Sequence, residues 1–60
     1  MININSDLIN AIDARYYELG GDYFGLDDIK MFANCTLNNG FVGSIAEFIE
    51  EVASDLRQND

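Results

Sequence analysis

Sixty residues with eleven acids and three bases carry a formal net charge of −8, a balance that opposes direct binding to nucleic acid or anionic lipid and favours a basic partner. One cysteine and no histidine exclude an internal disulfide, and they argue against structural zinc and against a histidine general base. A chain this short makes one domain, 1–60, that buries only about 60% of the surface its unfolded form exposes; a 48% hydrophobic content that includes seven aromatics suffices for one small core.

Residues 1–5 alternate apolar and polar, as a short strand or an extended arm would, and Ile4 is placed to staple the first helix. They contain neither a basic n-region nor an apolar h-region, so no secretory signal is expected. Ser6 reads as an N-cap, followed by Asp7 in the favourable first turn. Leu8, Ile9, Ile12, Tyr16 and Leu19 then recur at helical spacing until Gly20-Gly21 ends the run. The first helix is predicted over about 7–19, with Asp13 and Tyr17 on its outward side.

Residues 21–26 form a connector in which Tyr23 and Phe24 either make a short strand or fold over the core. The second helix is predicted over about 27–34, with Leu26, Ile29, Phe32 and Ala33 on one face and Asp27 and Asp28 at its N-terminus. Between 36 and 42, Asn39-Gly40 is a hairpin turn signal between very short flanks. A small β-hairpin and a structured loop delivering Leu37 and Phe41 to the core are both compatible with it.

The third helix, over about 45–57, is the clearest. Ser44 and Glu47 form an S-x-x-E capping box ahead of Ile45, Phe48, Ile49, Val52 and Leu56, which share one arc of the wheel. Glu47, Glu50, Glu51 and Asp55 fall outside that arc, and a polar tail follows over 58–60. The fold expected is mainly α, three short helices around one core of Leu8, Ile12, Leu19, Ile29, Phe32, Phe41, Ile45, Phe48, Ile49 and Val52. A strand or hairpin near 22–24 or 36–42 is optional.

The residues offer little for catalysis, and no enzyme, cofactor or metal is expected. Cys35 has no histidine partner and reads as a small buried apolar residue. Carboxylate pairs such as Glu47 with Glu51 need a pocket that pushes their pKa values apart. Asp22, Asp27 and Asp28 cluster, but counting from Asp22 puts Phe24 and Leu26 where a calcium loop needs ligands. The glycines do not form a phosphate-binding motif. No stretch approaches the roughly 20 apolar residues of a membrane span, and the lone cysteine fits a reducing, cytoplasmic setting.

The acidic surface is what remains. Glu47, Glu51 and Asp55 are spaced by four residues, about 6 Å of helix rise, close to the advance of about two nucleotide steps along one DNA strand. Like charges at that spacing repel by a few tenths of a kcal/mol per pair, and only Arg57 offsets them on this helix. In size, acidity and cysteine poverty the chain resembles the phage-encoded inhibitors of host defence, anti-CRISPR proteins and other DNA mimics. That resemblance implies a monomer in the host cytoplasm that occupies a basic, nucleic-acid-binding surface of a CRISPR effector or similar nuclease and blocks DNA recognition. The contacts expected are Glu47, Glu50, Glu51 and Asp55, with Asp13, Asp22, Asp27 and Asp28 as a second group and Tyr17 and Tyr23 as anchors. The alternative is a small interaction module (an antitoxin, adaptor or regulatory subunit) that binds through an apolar patch with Phe24, Met31 or Phe41 and is acidic for solubility.

Overall fold

A computed structural model describes residues 2–60. Three helices account for most of it: α1 (Ser6–Glu18), α2 (Leu26–Asn38) and α3 (Ile45–Gln58), each packed on the other two. The Cα radius of gyration is 10.2 Å, against about 10.4 Å for a compact chain of this length. No strand occurs among the described residues, so neither optional β element forms. Met1, part of the candidate N-terminal strand, lies outside the described residues; residues 2–5 lead into α1 without pairing.

The start of α1 differs from expectation by one residue. Asn5, not Ser6, is the N-cap, and its Oδ1 accepts from the Leu8 N–H at 2.9 Å. The two residue types cap almost equally well, so the register of the apolar arc decides between them. With Asn5 as cap, Ile4 becomes the preceding residue and Ile9 the fourth in the helix, the two positions of a hydrophobic staple. Ile4 packs against the core and lines the same hollow as the buried Ile9.

Helix α2 runs four residues beyond the predicted end. The Thr36 hydroxyl donates to the Phe32 carbonyl at 3.0 Å, which accommodates a threonine inside a helix. Leu37 continues the apolar face of Ile29 and Ala33, and it packs on the core. Asn39 closes the helix, and Gly40 follows at φ +83°; the Asn-Gly pair is a helix terminator, not a hairpin turn. Gly20 plays the same part after α1, at φ +90°.

The core comprises Leu8, Ile9, Ile12, Tyr16, Ile29, Ala33, Phe48, Val52, Ala53 and Leu56. Five of the expected core residues are therefore less enclosed than predicted. Leu19, Phe32, Phe41 and Ile49 pack against the core but are only half-buried. Ile45 is 58% exposed; it has the right angle on the wheel but opens α3 a full turn ahead of Phe48. Ile9, Tyr16, Ala33, Ala53 and Leu56 fill the space instead. Cys35, expected to be buried, is exposed, because it falls on the outer side of the extended α2. Phe24 folds over the core and bridges two helices, with its ring 5.4 Å from Tyr16 and 5.8 Å from Phe32. Phe41 packs on the core from the second connector, with its ring 5.2 Å from Phe48 on α3. These are the edge-on contacts that aromatic rings favour.

Residues 58–60 are not a loose polar tail. The Tyr16 ring is fully buried, and its hydroxyl donates to the Asp60 carboxylate while accepting from the Asp22 N–H. Arg57 donates to the other Asp60 oxygen at 2.6 Å and to the Leu19 carbonyl at 3.1 Å. The end of α3 is thereby fastened to the first connector. Gly21 lies flat on the Tyr16 ring, where an added Cβ would come within 2.3 Å of Cε1.

Candidate anionic interaction surface

The placement of the α3 acids follows from what α3 buries. Phe48, Val52, Ala53 and Leu56 take the inner arc, which turns Glu47, Glu50, Glu51 and Asp55 outward together. With Phe41, Val42, Ser54 and Gln58 they line one open groove of about 550 Å³. The four residues chosen from the sequence as the first contact group thus share one surface.

They are not equivalent. The Ser44 N–H donates to Glu47 Oε1 at 2.9 Å, and the Glu47 N–H donates to the Ser44 hydroxyl at 3.1 Å. The backbone hydrogen bond from Ser44 is the main cause holding the Glu47 carboxyl below its ordinary pKa. Glu50 is gripped by Arg15 from α1, with Nε at 2.6 Å and Nη2 at 3.2 Å. That hydrogen-bonded pair lowers the Glu50 pKa and raises that of Arg15. Arg15 also lies 3.6 Å from Glu18. Glu51 and Asp55 have neither a hydrogen bond to the carboxylate nor a cation partner among the described residues.

The second contact group does not gather in one place. Asp13 is half-buried, and its Oδ1 is shielded from solvent without a hydrogen-bond partner. Asp22 is exposed, but its backbone is tied to Tyr16. Asp27 lines a hollow with Lys30, Leu26 and Ile9. Asp28 is exposed at the start of α2, with its carboxylate near Gly25. Of the candidate anchors, Tyr23 is 73% exposed and Tyr17 48% exposed. The Tyr17 ring leans on Tyr16 at 5.6 Å.

Two features of this surface escaped the sequence reading. Arg15 and Arg57 are both spent on internal ion pairs, while Lys30 has none among the described residues. The groove also has an apolar border: Val42 is 92% exposed, and Phe41 lies beside it. Phe41 and Glu47 close around Gly43, where a Cβ would meet the Phe41 ring at 2.9 Å and Glu47 Oε1 at 3.2 Å.

Nothing in the described residues gathers three or more ligating side chains as a metal site would require. No described helix is long and apolar enough to cross a membrane. Comparison with protein-family models, with curated proteins and with solved structures finds no match for this chain.

Proposed function

We propose that this chain is a protein inhibitor that binds a basic, nucleic-acid-binding surface of a CRISPR effector or similar nuclease complex and competes there with DNA. The observation that carries this reading is the α3 groove, where Glu51 and Asp55 stand uncompensated beside Glu47 and Glu50. A partner's arginines and lysines would pair with these carboxylates in place of phosphates. Charge would steer the encounter, and added salt would weaken it.

The arrangement also selects the test. Reversing Glu50 breaks its pair with Arg15 and confounds binding with folding. Glu51→Lys with Asp55→Lys leaves that pair and the capping box intact. The double variant should keep the helical circular-dichroism spectrum and lose at least about tenfold in affinity for a basic partner, since each close ion pair at an interface contributes about 1 kcal/mol or more. Undiminished binding by a folded double variant would remove the α3 groove from the interface.

A second reading, the interaction module with an apolar patch, is favoured by Met31, 55% exposed on α2. Phe24 and Phe41 are largely committed to the core. Binding that persists at high salt and fails with Met31→Ser supports that reading over the first.

A further inference from the structure

Asparagine is followed by glycine at one place in this chain, Asn39-Gly40. The pair closes α2, and both residues are exposed. Gly40 stands at φ +83°, and beyond its chain neighbours no atom comes within 4 Å of the place a Cβ would take. Its N–H donates to the Leu37 carbonyl at 3.0 Å, and a helix end held by such a bond frays at low cost. An asparagine amide beside an unhindered backbone N–H that is easily released is placed for ring closure.

We infer that Asn39-Gly40 is a site of spontaneous deamidation, and that the product loosens the end of α2. Hydroxide removes the Gly40 amide proton, and the Gly40 nitrogen attacks the Asn39 Cγ. The new N–Cγ bond closes a cyclic imide. The Cγ–Nδ2 bond breaks, and the leaving nitrogen takes a proton from water and departs as ammonia, which restores the hydroxide. Water then opens the ring: cleavage at Cγ gives aspartate, and cleavage at the main-chain carbonyl gives isoaspartate.

The other asparagines are placed against this reaction. Asn10, Asn34 and Asn38 lie within helices, where the next N–H belongs to the helical ladder. The side chains of Asn5 and Asn59 are engaged, with the Leu8 N–H and the Asp55 carbonyl. Asn3 precedes Ile4, whose branched Cβ crowds the attacking nitrogen. The consequence follows from position. Either product puts a carboxylate at the negative end of the α2 dipole, within a stretch, 29–46, that otherwise carries no acid. Isoaspartate also adds a backbone carbon just ahead of Gly40 and Phe41, and the Phe41 ring packs on Phe48 and lines the acidic groove.

The test incubates the folded 60-residue chain at mildly alkaline pH, with and without denaturing urea, and follows the amide-to-acid mass gain by peptide mapping. Asn39 should convert before every other asparagine, to a mixture of aspartate and isoaspartate. Its rate in the folded chain should lie within about tenfold of the rate in urea, the factor that the net strength of one hydrogen bond supplies. Asn39→Gln should abolish the early mass gain, because the longer side chain closes its ring far more slowly. Asn39→Asp, which carries the product's charge, should lower the urea midpoint. Conversion confined to urea, conversion that begins at another asparagine, or an early mass gain that persists in Asn39→Gln overturns the site. An unchanged midpoint in Asn39→Asp overturns the loosening of α2.

Discussion

Tyr16 shows how much one side chain can decide in a body this small. Its ring lies in the core under Phe24 and Gly21, and its hydroxyl joins Asp60 to the Asp22 backbone. Burial first, and the hydrogen bond to Asp60 second, raise its pKa above the ordinary 10.0. A raised phenol pKa means that the folded state holds the proton more tightly. The stabilisation is therefore complete below the unfolded value and is lost as pH rises through the folded one. Wild-type stability to urea should fall above pH 10, and Tyr16→Phe should lose less over the same range; parallel alkaline curves would contradict this. Glu50 has the opposite sign. Arg15 depresses its pKa below 4.5, so the stability difference between wild type and Glu50→Gln should be full above that value. It should shrink as pH falls through the folded-state value. A difference that stays constant into acid would show that the pair adds nothing to stability. Gly21→Ala drives a methyl into the Tyr16 ring and should cost about 1–3 kcal/mol, the usual range for overpacking.

At the scale of the element, α3 was the most legible from sequence because its signals agree with one another. The capping box, the apolar arc and the acidic outer face all point to the same helix, and the structure has it at Ile45–Gln58. Ser44→Ala should cost about 1 kcal/mol by thermal or urea unfolding; an unchanged midpoint would mean that the box is redundant. Phe48 is completely buried, and Phe48→Ala should cost about 3–5 kcal/mol. The stability expected of 60 residues at about 0.05–0.15 kcal/mol each is about 3–9 kcal/mol, so the loss is a third or more of the total and the thermal midpoint should fall steeply. Helix α2 was legible only as far as Asn34, four residues short of its end. Asn34 and the Asn39-Gly40 pair are local signals with two meanings, and what selects between them is tertiary: Leu37 finds the core, and Thr36 bonds back to Phe32. The exposure of Ile45 was hidden for a related reason, because a helical wheel gives direction but not how far along the axis the core extends. The grouping of the four α3 carboxylates was readable from their spacing. The capture of Glu50 by Arg15 was not, because it joins residues 35 positions apart.

The whole molecule is dominated by uncompensated charge. Arg15 and Arg57 serve internal pairs, and Asp7, Asp22, Asp27, Asp28, Glu51 and Asp55 have no cation partner among the described residues. Self-repulsion of this kind weakens the compact state and is screened over about 8 Å at physiological salt. The urea midpoint at pH 7 should therefore rise between low and moderate sodium chloride. A flat or falling midpoint would mean that salt weakens the arginine pairs as much as it relieves the repulsion.

The same charge is the basis of the proposed competition with DNA, which a displacement titration tests most directly. A DNA-binding CRISPR effector complex is loaded with labelled target duplex, and this protein is added at two salt concentrations. Displacement should weaken as salt is raised and be lost with Glu51→Lys/Asp55→Lys. Duplex and protein bound together on one complex, or displacement by the double variant equal to that of wild type, would contradict it.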